Sequence, residues 1–347
     1  MTAHDQLTDR ERRVLEAVVQ SYIETAEPAA SRRLARGFGL GVSPATIRQT
    51  MSELEEKGYL FHPHTSAGRI PTDRAYRAYV DSMLRIQAPS SELQESLRAG
   101  IPPTRGAVED ILRRTAQVLG VLTQELGLAV GPALDTVVLE RLELVPVASD
   151  RLLLVFNLRS GVVRTIFVQV PAAIAASTAE IVARLLNERL AGLTLAEIRR
   201  SLAERLRDAV PGGTAGHELL NIFLAQGEEI FALDGAGRPV VLGSAQPLAD
   251  QPEFATSSER MRRLIHLTER SDPLRRALTG SREAGLRITI GAEHGDPDLN
   301  EFTLVTASYH AGELSGVIGV LGPTRMPYDR IVSLVAHTSR LVEGLLE

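Results

Sequence analysis

Between Ser43 and Asp81 the chain reads SPATIRQTMSELEEKGYLFHPHTSAGRIPTDRAYRAYVD, and this stretch restricts the fold more than any other. Ser43 is a good N-cap. Pro44 suits the first helical position, where its missing N–H has no intrahelical partner, and Gly58 stands where a left-handed residue ends a helix. The spacing therefore predicts a helix over 44–57. Ile47, Met51 and Leu54 recur at helical spacing and face a core, leaving Ala45, Gln49 and Ser52 outward with Thr46 and Arg48 flanking. Glu53, Glu55 and Glu56 all lie in the C-terminal half, clear of phosphates if the N-terminal turns enter a major groove. Tyr59 to Phe61 then reads as a strand, His62 to Gly68 as a hairpin tip, and Arg69-Ile70 as the return strand.

The preceding segment completes a helix-turn-helix. Thr8 and Glu11 fit a capping box, and Val14, Leu15, Val18, Val19, Tyr22 and Ile23 form the apolar stripe of a first helix ending near Glu27-Pro28. Ser31 to Arg36 makes a short second helix, and Gly37, Gly39 and Gly41 open the turn before Ser43. Helix, helix, turn, helix and hairpin in this order describe a winged helix-turn-helix, a DNA-binding module. The expected contacts are Ser43, Thr46, Arg48, Gln49 and Ser52 on the recognition helix, with His62, His64, Thr65, Ser66 and Arg69 on the wing. Arg32, Arg33, Arg74 and Arg77 are candidate phosphate contacts. The competing reading is a solvated helix face and a plain surface hairpin, with Arg48 paired to an acid instead; Tyr76 and Tyr79 read as core.

The net charge of -5 argues at first against a nucleic-acid partner. Its distribution reverses the inference. From Pro28 to Arg85 nine basic residues stand against five acidic ones, a local balance of +4. Phosphate affinity comes from local basic groups, so the acidic remainder confines binding to one face.

A chain of 347 residues, 44% apolar, has core enough for two or three domains. With no cysteine, disulfides and thiolate metal sites are excluded. No charged-then-apolar leader and no membrane-length apolar run is present, so the cytoplasm is the expected compartment. Gln87 to Arg105 reads as a linker with one helical stretch. Val108 to Leu126 is then a helix, and strand runs follow at Thr136 to Val147, Arg151 to Leu158 and Val162 to Val170. Capping boxes at Ser177/Glu180 and Thr194/Glu197 open two helices, and a third spans about Thr214 to Phe231. Strand signals resume at Pro239–Gly243, Leu286–Gly291, Phe302–Ser308 and Leu314–Leu321, with helices over 258–269 and 327–346. Strands divided by a helical block indicate one α+β sheet domain interrupted by a second module.

Chemistry beyond binding finds little footing. Glu293, His294, Asp296 and Asp298 have metal-binding side chains, yet the GDPD context is that of a turn whose acids cap backbone. Gly316, Gly319 and Gly322 lack the Lys-Ser/Thr of a phosphate loop. No catalytic residue, metal or cofactor is expected, and the chain does not read as an enzyme. Arg325, in GPTRM, is the most unusual polar residue outside the DNA-binding segment, with bracing of a domain interface as its simplest role.

Two runs carry a family resemblance. ATIRQTMSELEEKGYL with PHTSAGRIPTDRAYRAYVD resembles the N-terminal domain of the heat-inducible transcription repressor family HrcA. IGAEH at Ile290–His294 and GVIGVLGPTRMPY at Gly316–Tyr328 resemble that family's C-terminal signature. The chain departs from the family pattern at Gln49 and His294, where Asn is usual, and at Ala75, where Gly is common; Gln, like Asn, can contact adenine bidentately. The resemblance implies an α+β fold with a winged-helix domain at 1–86, a linker at 87–105, a GAF-like antiparallel-sheet domain over 106–170 and 236–347, and an inserted, mainly helical dimerising domain at 171–235. It further implies a homodimer that binds double-stranded DNA at an inverted repeat of the CIRCE type, upstream of chaperone operons, with the chaperonin GroEL as modulating partner. The alternative is a metabolite-sensing repressor that uses the GAF-like domain.

Overall fold

A computed structural model describes residues 7–63, 68–101, 108–132, 136–159, 163–231, 240–270, 272–279, 285–311 and 314–346. The chain divides into two compact units, one comprising 1–130, 240–309 and 317–346, the other 131–239 with 310–316.

The larger unit begins with α1 (Asp9–Thr25), α2 (Ser31–Gly37) and α3 (Pro44–Glu56), followed by β1 (Leu60–Phe61), β2 (Ile70–Pro71) and α4 (Asp73–Ser82). The caps read from sequence are in place. Thr8 and Glu11 make a reciprocal capping box on α1, the Ser43 hydroxyl accepts the Thr46 amide at 3.1 Å, and Gly58 takes φ +76° just beyond α3. β1 and β2 pair antiparallel, Leu60 opposite Pro71 and Phe61 opposite Ile70. This is a winged helix-turn-helix.

Next come α5 (Ser91–Gly100), α6 (Val108–Thr123), β3 (Leu126–Val130) and, after the excursion into the second unit, β7 (Val240–Leu242). The short helices α10 (Gln246–Ala249) and α11 (Pro252–Ala255) precede α12 (Ser258–Glu269), α13 (Asp272–Thr279), β8 (Leu286–Ile290), β9 (Phe302–Ala311), β10 (Leu314–Pro323) and α14 (Tyr328–Leu346). The sheet order is β7-β3-β10-β9-β8. Alternation sorts its side chains onto two faces. Leu126, Leu128, Val130, Phe302, Leu304, Val317 and Leu321 pack with Leu248, Phe254, Leu264, Leu267, Leu274 and Leu278 of α10 to α13. Ala129, Val305, Ala307, Ile318 and Val320 face the other way, into a core shared with α6, α14 and the winged helix itself.

That shared core corrects the expected linker. Within α5, Leu97 is fully buried, and α5 packs on α6 and α14, so this stretch is part of the packed unit rather than a tether. The strand β3 is a second difference. The sequence reading ran α6 on through Leu126, whereas Gln124 turns the chain with φ +61° into a central strand. Both faces of β3 are covered, so LGLAV shows no alternation of polarity by which to identify a strand.

The smaller unit holds β4 (Leu139–Ala148), β5 (Arg151–Leu158) and β6 (Val163–Gln169) as an antiparallel meander, with α7 (Ala176–Leu190), α8 (Leu195–Arg205) and α9 (Gly213–Phe231). The three meander strands form their own sheet and pack with α7 and α9 in one compact unit that takes in the expected insert at 171–235 together with the strands before it. Their inner side chains explain why: Phe156 meets Phe231 edge to face at 5.6 Å, and Asn187 on α7 bonds both the Leu142 amide and its carbonyl, at 2.8 and 2.7 Å. The Thr194/Glu197 capping box forms on α8. The Ser177/Glu180 box does not, because α7 starts earlier, after Ala175, with no side-chain cap.

Candidate nucleic-acid interface

The recognition helix is fixed from below and left open above. Ile47, Met51 and Leu54 are buried, and Thr50, also buried, bonds back to the Thr46 carbonyl at 3.1 Å. On the outer side Ser43, Ala45, Arg48 and Gln49 are exposed and Thr46 and Ser52 half-buried. The Ser52 hydroxyl bonds the Arg48 carbonyl at 3.2 Å, and the Gln49 amide leans along the helix to Glu53, also at 3.2 Å. The Arg48 guanidinium has no hydrogen bond or ion pair among the described residues, and neither have those of Arg32 and Arg36 on α2. The pairing of Arg48 with an acid is therefore not realised.

The base of the wing is anchored to α3. Glu55 contacts His62 on the outgoing side and Arg69 on the return, the latter at 2.7 Å, which draws both legs of the hairpin onto the helix. Arg69 also exchanges backbone hydrogen bonds with Ala29 at 2.8 and 3.0 Å. Gly68 is required beside it, because a Cβ there would run into the Ala29 and Pro28 carbonyls. His62 and Arg69 thus hold the wing in place. His64, Thr65 and Ser66 lie outside the described residues.

Two candidate phosphate contacts are occupied elsewhere. Arg74 donates to the Lys57 carbonyl at 2.7 Å and covers the Tyr59 ring, closing the C-terminal end of α3. Arg77 is a correction: its guanidinium bonds Glu293, the Ile288 carbonyl at 2.7 Å and Asp81 at 3.2 Å, fastening α4 to the edge strand β8. Arg33 pairs with Glu27 in the open, while Arg32 keeps its charge free.

Sequence reasoning missed the acids that organise these cations. Glu11, besides capping α1, receives Lys57 at 2.7 Å and is 3% exposed. Burial alone would raise its carboxyl, but the bonds from Lys57 and Thr8 prevail and hold it below the ordinary carboxylate range. The capping signature was legible; the second partner, 46 positions away, was not. Glu293, weighed from sequence as a metal ligand, is committed to Arg77 and to the Ile290 amide, and Asp296 to Arg276 at 2.8 Å and the Asp298 amide. No group of potential metal ligands gathers among the described residues, and no helix among them is long and apolar enough to cross a membrane.

Residues 109–332 match the family model described as the HrcA protein C-terminal domain, and residues 4–68 match the LexA DNA binding domain model. The chain is 37% identical to the heat-inducible transcription repressor HrcA of Chlorobium phaeobacteroides (strain BS1), with 97% of each chain covered. It is 35% identical to the same-named protein of Pelotomaculum thermopropionicum, over 98% of this chain and 97% of the relative. A solved structure described as a hypothetical protein aligns over 98% of this chain and 99% of its own, with TM-score 0.65 and 26% identity.

Proposed function

Because this chain belongs to the HrcA family of heat-inducible transcription repressors, we propose that it acts as a homodimer on an inverted repeat of the CIRCE type, reading bases with the N-terminal turns of α3. It is a DNA-binding repressor, not an enzyme. The observation that carries the reading is the division of charge on α3: Arg48 in the N-terminal half has no ion pair among the described residues, while Glu53 and Glu55 in the C-terminal half are tied to Gln49 and to the wing. Thr46, Arg48 and Gln49 contact base edges, Ser43 and Ser52 flank them, Arg32 and Arg33 meet phosphates, and the wing lies along the backbone, with His64, Thr65 and Ser66 as its expected contacts.

Dimerisation supplies the second half-site. A single winged helix reads a few base pairs, and a twofold dimer matches a palindrome. The smaller unit supports this role. On the outer side of its sheet Val145, Leu153 and Phe167 lie directly across from one another, with Phe167 65% exposed and Val163 57% exposed nearby. Monomers rarely leave such a row uncovered. Residues 131–239 then form the dimerising module, and residues up to about 86 the DNA-binding head. The family further implies a cytoplasmic protein whose competence is maintained by the chaperonin GroEL, so that misfolded protein, by occupying the chaperonin, releases the operator.

The test is binding of the full chain to a duplex carrying the inverted repeat and to a scrambled duplex, across a salt series, with and without GroEL. Preference for the repeat that GroEL enhances is the expected result. Equal, steeply salt-dependent binding to both duplexes overturns the specific reading, since counterion release alone then accounts for it.

A further inference from the structure

The foot of the wing forms one wall of a cleft of about 520 Å³ within the larger unit; the opposite wall comes from α11, α12 and the exit of β10. Hydrogen-bond accounting divides its polar groups into spent and unspent. Each acid is held by a cation or a backbone amide, although Glu301 Oε2 is ion-paired without a hydrogen bond. Glu253 is clamped by Arg325, Glu301 lies between Arg260 and Arg263 at 3.4 and 3.2 Å, and Asp73 accepts the Ala292 amide at 3.1 Å.

What remains is a set of donors. Tyr76 lines the cleft with a side chain 2% exposed, and its buried hydroxyl has no hydrogen-bond partner among the described residues. Buried hydroxyls are ordinarily paired, so this one is notable. Tyr22, also lining the cleft, makes no side-chain hydrogen bond among the described residues, and Arg260 uses only its Nε, leaving its terminal nitrogens without a hydrogen bond among them. Burial, chiefly, raises both phenols above their ordinary range, so each remains a protonated donor at neutral pH. Beside them Phe61, Ile70 and Pro71 supply an apolar surface.

We propose that this cleft binds a small organic carboxylate, its two oxygens accepting from Tyr76 and Arg260 and its hydrocarbon body resting on Phe61, Ile70 and Pro71. An apolar wall with a few convergent donors is the usual make-up of a small-molecule site. Guanidinium and hydroxyl donors select an anion with two acceptor oxygens. Because one wall is the wing and the other is built on the sheet, the ligand bridges the DNA-binding element and the body of its unit.

The experiment is calorimetric titration of the full chain, without DNA, with hexanoate and 3-phenylpropionate, and with hexanol and inorganic phosphate as contrasts. Saturable binding of the carboxylates, at least tenfold tighter than hexanol or phosphate, is expected. Tyr76→Phe keeps the ring and removes the donor, and is expected to weaken carboxylate binding about tenfold; R260Q does the same from the rim should the first variant fail to fold. No saturable carboxylate binding, equal binding of hexanol, preference for phosphate, or full affinity in whichever variant folds each overturns the proposal. None of these readouts involves the operator, so failure here leaves the repressor reading intact.

Discussion

The Arg325 guanidinium donates to the Ile23 carbonyl at 2.7 Å, joining residues 302 positions apart in the chain. Ile23 lies in the last turn of α1, whose carbonyls lack intrahelical partners, and Ala26 ends the helix with φ +54°. The same guanidinium clamps Glu253, so a single side chain holds the end of α1, the short helix α11 and the segment after β10. Bracing was the simplest role its sequence context suggested, and this geometry specifies what is braced.

Arg325→Ala is expected to destabilise the chain by about 3 kcal/mol, because Glu253 loses its partner while only 13% exposed. Arg325→Lys recovers little, since one ammonium cannot serve carbonyl and carboxylate in the fork that a guanidinium provides. Urea unfolding of both variants measures this; a loss below about 1 kcal/mol for the alanine variant would contradict the clamp.

Acid stability is expected to divide between two carboxylates of opposite sign. Glu11 titrates lower folded than unfolded, so its contribution is present above the unfolded pKa and is lost as pH falls through the folded one. Lys57→Met should therefore cost about 1–2 kcal/mol at pH 7 and much less near pH 3.

Glu125 behaves in the opposite sense. It is 1% exposed with one carboxyl oxygen unpartnered, and burial raises it well above the usual range. Its stabilising protonated form holds at low pH and is lost as pH rises from the unfolded value toward the folded one. Glu125→Gln is expected to stabilise the chain at pH 7 and to flatten its stability profile above about pH 5, where carboxylates ordinarily ionise. Unfolding curves at pH 5 and pH 8 check both; an equal loss at the two pH values would remove Glu125 from the account.

Two arginines that look alike in the sequence should separate in assay. Arg48→Ala is expected to weaken operator binding by about tenfold or more while leaving the unfolding midpoint unchanged. Arg77→Ala should do the reverse, lowering stability through Glu293 and Ile288. Gln49→Asn should change base preference and leave the salt slope alone. Fluorescence anisotropy with matched duplexes resolves the three.

If the exposed row on the smaller unit is the proposed dimer interface, Phe167→Glu places a charge in its middle and is expected to raise the dissociation constant of that dimer at least tenfold. Sedimentation velocity reads it directly. A dimer of unchanged affinity would move the interface elsewhere.

The recognition helix is legible in the sequence. Ser43, Pro44, Gly58 and the Ile47, Met51, Leu54 stripe act through neighbours a few residues away, and each does what its spacing implies. The strand β3 was not legible, because burial on both faces removes the polarity signal. Neither was the fate of the meander. Strands at 139–169 signal only that they are strands, and nothing in their alternation says which sheet they join.

The sequence by itself determined the local elements of the winged helix, their caps and their order, and a basic head on an acidic chain. Helical caps and periodicities are set by contacts within one or two turns, and such contacts are written in spacing. The tertiary structure alone decided how the charges are allotted: Arg48 left free, Arg69 and Arg74 bound to the frame of α3, Arg77 to Glu293, and Arg325 to Ile23 and Glu253. Every arginine carries the same charge in the sequence. Whether it meets phosphate or carboxylate depends on which acid the fold brings within about 3 Å, the reach of a hydrogen bond.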